Sequence, residues 1–102
     1  MELQVQIHLN DQIQHDKEVV ERLVETNLNS KVSGYLKKYE GKADATGTID
    51  VKLEKNKKDL FNGKLIAELD RDEFVFERED YDDLESLINN LFKHLKEKLS
   101  DM

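Results

Sequence analysis

The stretch YDDLESLINNLFKHLKEKL, residues 81–99, decides how the rest of the chain is read. Its apolar residues fall at Tyr81, Leu84, Leu87, Ile88, Leu91, Phe92, Leu95 and Leu99. Steps of three and four place them on one stripe of an α-helix. Asp82, Asp83, Glu85, Asn89, Asn90, Lys93, Lys96 and Glu97 fill the other faces. Asp80 is the expected N-cap, because its carboxylate can accept from backbone N–H groups that the first turn leaves free. Acids gather in the first turn and lysines in the last, which suits the helix dipole. A stripe this long needs an apolar surface beneath it, and the upstream segments read as the parts of that surface.

Working outward, Leu3, Val5, Ile7 and Leu9 alternate with Glu2, Gln4, Gln6 and His8, the period of a strand with one buried face. Asn10 and Asp11 end it. Val19, Val20, Leu23, Val24, Leu28, Val32, Tyr35, Leu36 and Tyr39 keep a helical period from about Asp16 to Tyr39, with Asp16 or Asp11 as cap. Asn27, Asn29, Ser30, Ser33 and Gly34 are weak helix formers, so a kink or early end is expected near Asn29. Gly41 is a natural stop, and Glu40 to Ala45 reads as a loop.

Three strands follow. Ile49, Val51 and Leu53 alternate within Thr46 to Leu53. Leu60 to Leu69 has Leu65, Ala67 and Leu69 in phase. Glu73 to Glu77 carries Phe74 and Phe76 on one face. Glu54 to Asp59 and Asp70 to Asp72 connect them as an antiparallel meander. The order is β-α-β-β-β-α. A helical crossover makes the first two strands parallel and right-handed in connection. The expected architecture is an α+β two-layer sandwich, with two helices packed on one face of a four-stranded sheet.

The 102 residues are enough for one domain with one core. The absence of cysteine excludes disulfides, thiolate metal sites and cysteine nucleophiles. The opening MELQVQIHLNDQ has no basic segment leading into an apolar run, and no stretch reads as a membrane span. The expected address is the cytoplasm. The net charge of −7 argues against a general nucleic-acid binder. Its distribution qualifies that, because residues 31–64 hold nine bases against five acids, whereas residues 65–85 hold ten acids against two bases.

The opening VQIHLND, the alternating TIDVKLEK, the FNGKLIAELD and EFVFERED segments, and the step from Glu79-Asp80-Tyr81 into the last helix together resemble the N-terminal domain of the ribosome hibernation factors. That family is also known as ribosome-associated translation inhibitors or ribosomal subunit interface proteins. The resemblance spans nearly the whole chain and is specific in combination, each motif being weak alone. It implies a protein that binds the small ribosomal subunit and its RNA near the decoding region and blocks translation sterically, without catalysis or cofactor. Long family members add a C-terminal dimerisation domain. This chain stops after its second helix and so looks like a short form or an excised domain. Family members carry a broad basic face, and here the chain departs by being acidic overall.

The expected topology ends both helices at one edge, bringing Lys37, Lys38 and Lys42 near Lys93, Lys96 and Lys98. These six are the candidate RNA contact, since lysines on phosphates release counterions. The plain alternative is that lysines favour helix C-termini and are solvated there. Lys55, Lys57 and Lys58 form a second candidate at the opposite edge. The acidic run from Asp70 to Glu85 lacks the glycine and bidentate glutamate of a calcium loop. It reads as a solvated face or as a surface for a basic protein. His8, His15 and His94 show no ligand spacing. The serines lack a nucleophile elbow, and the glycines form no phosphate-binding pattern. Tyr35, Tyr39, Phe61 and Tyr81 could stack on bases, though their phase favours packing. A small acidic interaction module with the same fold and no ribosome binding is the second reading. The oligomeric state is left open.

Overall fold

A computed structural model describes residues 2–39 and 46–101. The expected loop from Glu40 to Ala45, with Gly41 and Lys42, lies outside the described residues. The strands are β1 (Glu2–Leu9), β2 (Thr46–Lys55), β3 (Phe61–Leu69) and β4 (Asp72–Tyr81), and the sheet order is β1-β2-β3-β4. β1 pairs parallel to β2, and the other two pairings are antiparallel. This is the expected β-α-β-β-β-α order and α+β class.

Strand alternation sets the two faces. Ile49, Val51, Leu53, Leu65, Ala67 and Leu69 share one phase and are 0–3% exposed. Register puts Leu3, Val5, Ile7 and Leu9 of β1 in the same rows. On the other face stand rows such as Gln6–Asp50–Ile66–Val75 and His8–Lys52–Lys64–Glu77. The inner face packs beneath α2 (Leu84–Ser100), which buries Leu84, Leu87, Ile88, Leu91, Phe92, Leu95 and Leu99. Each such side chain contributes roughly 1.5–3 kcal/mol by leaving water. α2 lies over β3 and β4, and Gly63 of β3 permits the close approach. A Cβ there would sit 3.0 Å from both Leu53 Cδ2 and Leu87 Cδ2.

The start of α2 differs from expectation. β4 does not stop at Glu77 but continues to Tyr81 through a register shift opposite Phe61 and Gly63. Asp80 belongs to that irregularity, with φ 61°. Its backbone N–H donates to Asn62 Oδ1 (3.1 Å), and its carboxylate accepts from Asn56 Nδ2 (2.8 Å) and Lys58 Nζ (3.2 Å). The N-cap is Asp83, which is extended and accepts from the Ser86 backbone N–H at 2.7 Å. Tyr81 consequently ends a strand and is not the first residue of the helical stripe.

The first helical run is longer and less regular than its apolar period suggests. It passes from a 3-10 segment (Asp11–Asp16) to α1 (Lys17–Asn27), a π segment (Leu28–Val32) and a second 3-10 segment (Ser33–Tyr39). The break falls where the kink was expected. Ser33 Oγ donates back to the Asn29 carbonyl at 2.8 Å, an arrangement that bends helices. Ile13, outside the expected stripe, is 1% exposed, whereas Val19, inside it, is 46% exposed.

Candidate nucleic-acid interface

The helical layer carries most of the lysines singled out from sequence. Lys37 is exposed in the second 3-10 segment, and Lys93, Lys96 and Lys98 are exposed on α2. Lys38 closes the same 3-10 segment, one residue before Tyr39. Lys42 lies outside the described residues. α2 packs against α1, the π segment and the second 3-10 segment in turn.

The seam between the two helical parts is polar. Asn27, only 2% exposed, donates through Nδ2 to the Leu23 carbonyl (2.8 Å) and to Asn89 Oδ1 of α2 (2.9 Å). Lys31 Nζ donates to Asn27 Oδ1. Lys31 then lines a shallow hollow of about 420 Å³ with Tyr81, Ser86, Asn89, Asn90 and Lys93. Sequence reasoning passed over Lys31. The available signal was its position four residues after Asn27, one turn along the same face.

Helix geometry sorts the α2 lysines. Asn89, Lys93 and Lys96 follow one another at steps of four and three and share a flank. Lys98, two residues beyond Lys96, is turned about 160° from it at 3.6 residues per turn. Lys98 follows His94 by one turn, and the His94 ring stacks on Phe76 of β4 with centroids 6.1 Å apart. Arg78 of β4 fixes the same flank by donating through Nε to Asn90 Oδ1 at 2.9 Å.

The second lysine group is partly engaged. Lys58 pairs with Asp80 at 3.2 Å, and Lys55 Nζ lies 5.9 Å from the Phe61 ring centroid. Lys57 is exposed. On the open sheet face, Lys64 pairs with Glu77 at 3.2 Å and His8 lies 3.6 Å from Asp50. A groove of about 440 Å³ there is lined by His8, Lys52, Lys64 and Arg78 but also by Glu54, Glu77 and Glu79. Its mixed charge suits a phosphate backbone poorly. Much of the acidic run is strand β4 rather than a loop.

Fold and surface together define a class: a small two-layer α+β domain whose helical side presents lysines interspersed with acids and whose β4 edge is strongly acidic. Over 99% of this chain and 98% of the other, the structure matches the N-terminal domain of Thermus thermophilus Protein Y, with a TM-score of 0.66 and 21% sequence identity. The resemblance in fold to that domain thus extends over the full length of this chain. No family model and no curated protein matches the sequence. No helix among the described residues is long and apolar enough to cross a membrane.

Proposed function

We propose that the chain is a cytoplasmic translation inhibitor that binds the small ribosomal subunit and its RNA and acts by steric occlusion, without catalysis. The observation that carries this reading is the fold match, over the full length of this chain, to the N-terminal domain of Protein Y, a member of the ribosome hibernation family. Exposed Lys37, Lys93 and Lys96, with Lys38 and Lys42, supply the phosphate contacts, and Lys98 adds its charge from the other flank of α2. No base-reading motif is present, so charge carries the affinity. The acids of β4 repel the same phosphates, which makes binding weak, while the lysine–phosphate contacts themselves make it salt-dependent.

The test is co-sedimentation with small subunits across a salt series. Three proteins are compared: the parent, a variant with all six lysines changed to Gln, and one with Lys55, Lys57 and Lys58 changed to Gln. Expected is salt-sensitive binding that the six-lysine change abolishes and the three-lysine change leaves largely intact. Equal binding by the six-lysine variant would place the contact elsewhere. Failure of the parent at low salt would end the ribosome reading. The second reading, a module that docks a basic protein, rests on the net charge of −7 and on exposed Glu73, Glu77 and Glu79 along β4.

A further inference from the structure

The sheet has two edges, and they are built differently. β4 bears Asp72, Glu73, Glu77, Glu79 and Asp80 against one Arg78, and a register shift interrupts its pairing. Like charge and irregularity are the usual devices that keep an edge from pairing. β1 has neither. From Leu3 to His8 it holds no formal charge in a chain of −7, and its pairing with β2 is unbroken from Glu2 to Leu9.

The outward side of β1 can be read from one hydrogen bond. The Asn10 backbone N–H donates to the Leu53 carbonyl at 3.3 Å. In a regular parallel ladder every second residue then faces β2, so Leu3, Val5 and Ile7 aim N–H and C=O away from the sheet. Among the described residues no strand receives them. The apolar row also stops short at this edge. Ile49 is 0% exposed, and Val5 beside it in the same row is 37% exposed.

We propose that β1 is a self-pairing edge, through which two copies of this chain join antiparallel about a twofold axis at Val5. The occupant is a second copy because the strand is self-complementary in residue type. Read about Val5, the sequence Glu2-Leu3-Gln4-Val5-Gln6-Ile7-His8 sets acid against imidazole, apolar against apolar, amide against amide and Val5 against Val5. The same register makes Leu3 with Ile7, Val5 with Val5, and Ile7 with Leu3 the hydrogen-bonded pairs. Leu3, Val5 and Ile7 from both copies then lie on the helix side of one continuous sheet and extend the apolar row that Val5 leaves uncovered. Gln4 meets Gln6 of the second copy on the open face, where each amide can both donate and accept.

The proposal is independent of ribosome binding, and its test is the oligomeric state. Sedimentation equilibrium of the parent from about 10 μM to 1 mM, the range of a modest interface, is expected to show a monomer–dimer equilibrium. Amide exchange at Leu3, Val5 and Ile7 should slow with concentration, while Gln4 and Gln6, already bonded to β2, should not change. Gln4→Lys with Gln6→Lys sets like charges opposite in this register at exposed positions. It is expected to weaken the dimer at least tenfold. Gln4→Lys with Gln6→Glu sets unlike charges opposite and is expected to retain it. A parent that stays monomeric throughout overturns the proposal. So does a dimer indifferent to both variants, or one whose exchange protection falls outside β1.

Discussion

α2 runs unbroken from Leu84 to Ser100, whereas the run from Asp11 to Tyr39 changes helix type three times over the same sheet. Composition explains the difference. α2 has strong helix formers, a bonded N-cap and seven buried apolar residues in one stripe. The first run has Asn27, Asn29, Ser30 and Gly34 along it, and Asp16, the N-cap of α1, makes no side-chain capping hydrogen bond. One helix is stabilised mainly by what it buries. The other relies also on a buried polar clamp to its neighbour, Asn27 to Asn89.

Six substitutions bear on that contrast. Leu91→Ala, at a residue 0% exposed in the middle of α2, should cost about 2–5 kcal/mol by leaving a cavity. An unchanged denaturant midpoint would mean the stripe is not the main support of the layer. Asn27→Ala should cost about 1–3 kcal/mol, because Asn89 and Lys31 lose a partner at a buried seam. If Asn27→Ala and Asn89→Ala prove additive in a double-mutant cycle, the clamp is not a coupled unit. Asp83→Ala should cost on the order of 1 kcal/mol through the lost cap, read as a drop in thermal midpoint, with Asp80→Ala expected to cost less. The reverse order would return the cap to Asp80. Gly34→Ala should stabilise by about 0.4–1 kcal/mol, since an added Cβ meets nothing within 4 Å. A loss of stability there would show that the irregular run needs its glycine.

The element order, sheet topology and α2 stripe were legible in the sequence because they rest on periodicity, which a linear chain displays. The cap was not. Asp80, Asp82 and Asp83 are three aspartates within four positions, each able to cap by residue type. Only the three-dimensional claims of Asn56 and Lys58 on Asp80 decide among them. Ile13 and Asn27 were missed for a related reason. One is buried from a 3-10 turn outside the helical period, and the other is a polar residue whose partner lies 62 positions away. For the candidate interface, the sequence supplied which lysines lie near helix ends. It did not reveal that Lys31 lines the same hollow as Lys93, nor that Lys98 turns to the other flank.

The parallel pairing of β1 with β2 carries a consequence for how the chain folds. Glu2 meets Thr46 and Leu9 meets Leu53, so every contact between these strands closes a segment of 44 positions (46 − 2). The β3–β4 hairpin, by contrast, pairs Leu69 with Asp72. Closing the long segment costs roughly 2 kcal/mol more chain entropy than closing a short loop of a few residues, before any of its contacts compensate. The meander and α2 can therefore assemble from near neighbours. β1 must wait until the whole helical crossover has been laid down. The strand with the most open edge is thus also the last to be placed, and while it waits, β2 presents a bare edge of its own.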